Sequence, residues 1–225
     1  MRVLLSLMLI ICQLTLAQKS EVRSLERFTA LKVSSGIDVK LTKGEKPVVR
    51  IEASGIRLDE VVTEVQGNTL KISFRNLRID GRNDVKVQLT YVELNRISVM
   101  AASSVYATDP VQADGLELYA SAAGSIEIPV KTERLAAEAS TASSIILSGS
   151  TVELHVDAST SSSIDAYQLD AQRVSAAAST ASDIRVKVSR EIKAEASTAG
   201  SIRYKGEPDR SDTSATTAGS IRKVN

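Results

Sequence analysis

A seven-residue string of small polar residues closed by isoleucine, Ala139-Ser-Thr-Ala-Ser-Ser-Ile145, returns as ASTSSSI from Ala158, ASTASDI from Ala178, ASTAGSI from Ala196 and ATTAGSI from Ala215. Aligned on the branched apolar residue that closes the string, Val105, Ile126, Ile145, Ile164, Ile184, Ile202 and Ile221 follow at intervals of 21, 19, 19, 20, 18 and 19. A period near twenty, held over seven copies, confines the chain to a solenoid, in which each unit buries its apolar face against its neighbours. Helical solenoids need longer units and helix-forming residues; these units are Ser, Thr, Ala and β-branched residues.

Before each string the apolar residues alternate, as in Val152, Leu154, Val156 and Ala158 or Ile192, Ala194 and Ala196, with Glu153, His155, Asp157, Lys193 and Glu195 pointing the other way. After it Ile184, Val186 and Val188 alternate with Arg185 and Lys187. This pattern predicts two short strands per repeat, joined by the string, with one face of each strand buried. Stacked as rungs about 4.8 Å apart, such units form a single-stranded parallel β-helix with two-sheet rungs of about 19–20 residues. The LxxLxLxxN pattern of leucine-rich repeats is missing, and drifting intervals do not support a six-residue subperiod. If alternation continues through the string, Ala139, Thr141, Ser143 and Ile145 face inward at a narrow corner. The row Thr141, Thr160, Thr180, Thr198 and Thr217 is then internal. Gly124, Gly200 and Gly219 fall near the same corner, as tight turns allow.

Residues 1–18 have the layout of a secretory signal: one charge at Arg2, an apolar run from Val3 to Ile11, and Leu16-Ala17 before Gln18. Gln13 and Thr15 interrupt the run too early for a membrane span of roughly 20 apolar residues. Ile11 before the lone Cys12 lacks the small side chain that a lipidation site needs. Residues 19–225 are read as one β-helix domain, exported and then periplasmic, outer-membrane-associated or extracellular. Cleavage would remove one of the 28 basic residues and none of the 27 acidic ones, leaving a formal charge of zero. That balance argues against nucleic acid as a partner. No cysteine would remain to form a disulfide. Residues 28–92 read as longer strands that cap one end of the stack, with a hairpin at Gly67-Asn68 between Val65 and Leu70 and a loop from Asn76 to Asp84. Residues 94–225 read as the regular rungs.

The entry segment Phe28-Thr-Ala-Leu-Lys-Val-Ser-Ser-Gly-Ile-Asp-Val-Lys-Leu41, whose VSSGI makes it the first rung, the strand-turn-strand Glu64-Val-Gln-Gly-Asn-Thr-Leu-Lys-Ile-Ser73 and the tandem strings together resemble the putative auto-transporter adhesin head GIN domain family, exported bacterial domains of unassigned function. The resemblance covers nearly all of residues 19–225. It implies a right-handed parallel β-helix, shaped like the pectin lyases, with tight turns at Gly-Ser-Gly-like strings, no retained catalytic residues and a suggested role in adhesion. This chain uses Ala-Ser-Thr in place of Gly-Ser-Gly, which keeps the turn role but leaves its geometry open.

Chemistry is sparse in the sequence. Glu153, the single histidine His155, and Asp157 share the outward face of one strand, but the neighbouring outward positions, Ala136 and Ser175 beside His155 and Glu138 and Ala177 beside Asp157, offer few further ligands. A metal centre needs convergent ligands and a nucleophilic serine needs a base in reach; GxSxG and phosphate-loop patterns are absent. No catalytic residue, metal ligand or cofactor is assigned. Outward Glu138, Asp157 and Glu195 form a row that reads as ordinary surface. The most directional charge is at the last rungs: Arg185, Arg203 and Arg222 follow the closing isoleucine, with Lys187 and Lys205 two residues on. That stripe reads as a contact for an anionic glycan or lipid headgroup, or as charge that keeps an open solenoid end from pairing with another chain. The expected function is non-enzymatic adhesion or envelope interaction through the solenoid's side surface. Its partners would be a cell-surface glycan, an envelope protein, or a second copy at an exposed end. The alternative is a carbohydrate-binding module or polysaccharide-acting enzyme on the same scaffold.

Overall fold

The computed structural model describes residues 19–76 and 84–224. The signal segment and most of the loop expected from Asn76 to Asp84 lie outside the described residues. The first half contributes β1 (Lys19–Ser24), β2 (Ala30–Val33), β3 (Asp38–Lys43), β4 (Val48–Ser54), β5 (Val61–Gln66), β6 (Thr69–Phe74) and β7 (Asp84–Tyr91). The second contributes β8 (Arg96–Met100), β9 (Ser104–Ala107), β10 (Val111–Ser121), β11 (Ser125–Ala139), β12 (Ser144–Ala158), β13 (Ser163–Ala178), β14 (Asp183–Ala196), β15 (Ser201–Lys205), β16 (Arg210–Ala215) and β17 (Ser220–Lys223). The chain is a β-solenoid of about seven turns.

Every strand from β8 to β17 pairs in parallel with its counterpart on the adjacent rung. The closing residues stack in register from Val105 through Ile126, Ile145, Ile164, Ile184 and Ile202 to Ile221, and all but Ile221 are buried. Each buried isoleucine contributes about 1.5–3 kcal/mol, so this ladder is a principal axis of stability. Where two short strands per repeat were expected, β11 to β14 each run 14 to 16 residues and bend within one strand. The bend sits where alternation slips. In β11, Val130 and Thr132 face inward, Glu133 and Arg134 both face out, and Leu135 faces inward again. Val152, expected inward, falls at the corresponding slip in β12 and is half-buried.

The first half departs further from expectation. Its strands are four to eight residues long, shorter than β10 to β14 of the repeat half. The rung β2–β3 lies inside the stack, because β2 pairs in parallel with both β6 and β8, and β3 with both β7 and β9. Antiparallel pairing of β5 with β6 through the expected hairpin, and of β1 with β4 and β4 with β7, closes that end. The inner ladder therefore begins further out, at Val87 and Val39.

The repeated string is a turn built from two consecutive left-handed residues. Thr141 and Ala142 have φ of 55° and 57°, and the pairs Thr160-Ser161, Thr180-Ala181, Thr198-Ala199 and Thr217-Ala218 repeat this. Two such residues reverse the chain and turn both side chains outward. Ala139, Ser143 and Ile145 are buried as expected, but Thr141 and the rest of the threonine row are exposed, contrary to the continued-alternation reading. Left-handed backbone costs about 1–2 kcal/mol per non-glycine residue, and cross-rung hydrogen bonds offset it. The Ala142 N–H donates to the Thr160 carbonyl at 3.0 Å, Ser161 to Thr180 at 3.0 Å, Ala181 to Thr198 at 3.0 Å and Ala199 to Thr217 at 3.1 Å.

One inward position of the turn alternates between serine and glycine. Ser143, Ser162 and Ser182 are buried, and their hydroxyls donate to the Ala120, Ala139 and Ala158 carbonyls of the preceding rung at 2.9, 2.8 and 2.7 Å. Gly200, at the same place, closes the turn with its own N–H on the Ser197 carbonyl at 2.8 Å, and a Cβ there would lie 2.3 Å from the Ala178 carbonyl oxygen. Glycine is required by this close approach, while threonine and alanine carry the positive φ.

Candidate functional site

Parallel stacking converts each strand position into a row along the solenoid. At the bend between the two faces one outward row reads Gly115, Arg134, Glu153, Arg173, Glu191, Arg210. Beside it runs Arg96, Glu117, Ala136, His155, Ser175, Lys193. The small side chains at Gly115, Ala136 and Ser175 leave room between the long ones. The result is a groove of about 820 Å³ along the stack, bordered at its amino-terminal end by Asn68, Thr69 and Asn95 and floored by Leu116, Leu135, Leu154 and Val174.

Ion pairs organise the groove. Arg96 donates from Nε and Nη2 to Glu117 Oε2 at 2.8 and 2.6 Å, and the Tyr119 hydroxyl donates to the same oxygen at 3.1 Å. The Arg96 hydrogen bonds hold the Glu117 carboxyl below its ordinary range. Burial, followed by the bond to Glu117, pushes the Tyr119 hydroxyl up. Arg173 donates to Glu153 at 2.7 Å, and Arg210 approaches Glu191 at 3.9 Å. The side chains of Arg134 and His155 make no hydrogen bond or ion pair among the described residues.

His155 shares a strand face with Glu153 and Asp157, but Glu153 is engaged by Arg173 on the next rung. Its lateral neighbours are Ala136 and Ser175, and those of Asp157 are Glu138 and Ala177. Among the described residues no group of three His, Cys, Asp or Glu side chains is placed to hold a metal ion. Glu138 and Asp157 are lateral neighbours, and Ala177 separates Asp157 from Glu195.

The basic stripe lies on the other face. Arg185, Arg203 and Arg222 are in register, as are Lys187 and Lys205. Carboxylates of the same face answer most of this charge. Arg185 meets Asp165 at 3.2 Å and Asp183 at 3.1 Å, and Arg203 meets Asp183 at 3.1 Å. Lys187 meets Asp170 at 2.7 Å, and the Lys205 ammonium sits 4.7 Å from the centre of the Tyr167 ring. Arg222 is exposed at the last rung without such a partner among the described residues. Arg185 and Arg203 converge on Asp183, so their charge is met within the stripe itself. Reasoning from single strands passed over the groove. Its signal is in the sequence: Arg134, Glu153, Arg173, Glu191 and Arg210 recur at intervals of 19, 20, 18 and 19, those of the closing isoleucines.

Among solved structures, the fold is shared with a putative adhesin from Bacteroides fragilis NCTC 9343, at 21% identity, 92% of this chain and 97% of that chain, with a TM-score of 0.84. A putative adhesin from Parabacteroides merdae ATCC 43184 matches at 18% identity over 92% and 96%, with a TM-score of 0.75. A protein described as a putative lipid binding protein, from Parabacteroides distasonis ATCC 8503, matches at 20% identity over 92% and 97%, with a TM-score of 0.70. No curated protein matches the sequence. No helix among the described residues is long and apolar enough to cross a membrane. The model of the family "Putative auto-transporter adhesin, head GIN domain" matches residues 27–208, so the chain belongs to that family.

Proposed function

We propose that the protein is an exported, non-enzymatic adhesive solenoid that holds an extended cell-surface or envelope ligand along the groove beside the bend. The observation that carries this is the groove itself: about 820 Å³, continuous over successive rungs, with charged groups set at intervals between small residues. A surface of that shape suits a chain lying along the stack, and repeat proteins bind through such extended faces. Paired carboxylates and guanidinium groups fix a ligand by hydrogen bonding, while His155, whose side chain has no hydrogen-bond partner among the described residues, is poorly equipped for proton transfer.

The test is a cell-surface and glycan binding screen with purified protein and an Ala136→Trp variant, which fills the groove from an outward position. The expected result is loss of binding with an unchanged thermal transition. Full binding by the folded variant refutes the groove as the adhesive surface. Turnover of a polysaccharide, lost on changing Glu153, His155 or Asp157, refutes the non-enzymatic assignment.

A further inference from the structure

The ladder at the bend alternates in charge from Arg210 back to Arg134 and then stops at Gly115. Each inner arginine has a carboxylate on an adjacent rung, but Glu153 is taken by Arg173 at 2.7 Å, and Arg134 is left with no ion pair among the described residues. On its other side Gly115 offers no side chain. Its backbone is outside the left-handed region, and a Cβ added there would meet nothing within 4 Å. Glycine is therefore required neither by backbone conformation nor by crowding, and its effect is to leave open space beside an unanswered guanidinium inside the groove.

We propose that this space is a carboxylate-binding site for an acidic polysaccharide, with Arg134 as its charge partner. The inference rests on the reading of the groove as the ligand-binding surface. A ligand carboxylate over Gly115 takes the place that a glutamate would occupy if the alternation continued. Planar, two-pronged recognition by a guanidinium is the strongest contact available to it. Of the groove carboxylates nearest to it, Glu117 is held by Arg96 and Tyr119 and Glu153 by Arg173, so their charge is answered, while Asp114 and Glu133 adjoin the row as exposed residues. Asn95 on the adjacent rung, and beyond it Asn68 and Thr69, which bond to Thr29 and to each other, carry amide and hydroxyl groups of the kind that meet sugar hydroxyls.

The experiment measures binding of oligomers of galacturonate, glucuronate and mannuronate, their methyl esters, and polyglutamate to purified protein and to Arg134→Gln, Gly115→Glu, Gly115→Gln and Ala136→Trp variants. Thermal unfolding of each variant confirms its fold. The expected result is that at least one oligouronate binds, and that Arg134→Gln weakens it on the order of tenfold or more. Gly115→Glu, which supplies an internal carboxylate, weakens it comparably, and Gly115→Gln does so less. Methyl esters and polyglutamate show no dependence on Arg134. The proposal is overturned if no oligouronate binds, if Arg134→Gln and Gly115→Glu bind as tightly as the parent, if esters bind equally, or if polyglutamate shows the same dependence, which assigns the site to an acidic peptide. Ala136→Trp separates the two levels. If it abolishes binding while Arg134→Gln does not, the carboxylate site falls and the adhesive groove stands; if it abolishes nothing, the groove reading itself falls.

Discussion

Replacing Gly200 by serine should harm the protein less than replacing it by alanine, although serine is larger. A Cβ at Gly200 would stand 2.3 Å from the Ala178 carbonyl oxygen and 2.6 Å from its carbon, both backbone, so the turn has to open for either residue. Opening it breaks the 2.8 Å bond from the Gly200 N–H to the Ser197 carbonyl. Alanine gains nothing in return. Overpacking of this kind costs about 1–3 kcal/mol, less about 0.4–1 kcal/mol from the stiffer unfolded chain. Serine can adopt the geometry of Ser162, whose hydroxyl donates to the Ala139 carbonyl at 2.8 Å and accepts from the Ser159 N–H at 3.0 Å. Two such bonds at about 0.5–1.5 kcal/mol each make Gly200→Ser more stable than Gly200→Ala by about 1–3 kcal/mol. For a chain of this length each kcal/mol moves the thermal midpoint by about 2–4 °C. Because rungs can open locally, urea unfolding should be paired with hydrogen exchange at Ser220, whose N–H donates to the Gly200 carbonyl. Equal stability of the two variants, or greater stability of the alanine, would refute the idea that serine and glycine specify two forms of one turn.

The other predictions concern the turn, the ion pairs and the ladder. Ala142→Gly relieves a left-handed residue on an exposed corner and should stabilise by up to about 1 kcal/mol after the entropy of a glycine in the unfolded chain is subtracted; chemical denaturation checks this, and a loss contradicts it. Arg96 holds the Glu117 carboxyl below its ordinary range, so the folded state favours the carboxylate. The stability this pair contributes is complete above the ordinary carboxylate pKa and is lost as pH falls through the depressed value. Arg96→Gln should raise the Glu117 titration seen by NMR and remove that acid-side increment; an unmoved titration contradicts the pairing. Glu153→Arg places three arginines on adjacent rungs, and at ~0.2–1 kcal/mol per exposed pair its cost should shrink in high salt. Inverting Arg134, Glu153, Arg173, Glu191 and Arg210 together restores alternation and should recover most of the loss, as urea midpoints at low and high salt would show.

The stack was legible in the sequence because period and alternation report the same fact twice: the intervals between Val105 and Ile221 set the rung, and the residues around them set which face is buried. The threonine row was not legible. Positive φ is ordinarily signalled by glycine or asparagine, but here Thr141 and Ala142 carry it and glycine stands elsewhere in the turn. The order of the first rungs was also hidden. Whether β2 neighbours β6, β8 or both depends on pairing between distant segments of four to six residues, and local alternation does not encode distant partners.

The groove follows from applying the repeat to the outward positions as well as the inward ones. Inward, the rows are nearly uniform, as Ile126 to Ile202 and Ala139 to Ala196 illustrate, and uniform rows alone would permit a stack displaced by one rung. The outward ladder distinguishes the two: in register Arg134 faces Glu153 and Glu153 faces Arg173, whereas a one-rung displacement of either half sets like charge on like. Regularity in that row thus serves assembly. Its interruptions at Gly115, and those of the adjoining row at Ala136 and Ser175, do nothing for assembly and open the space along the stack. The binding surface is therefore to be sought where an otherwise strict repeat departs from its own pattern.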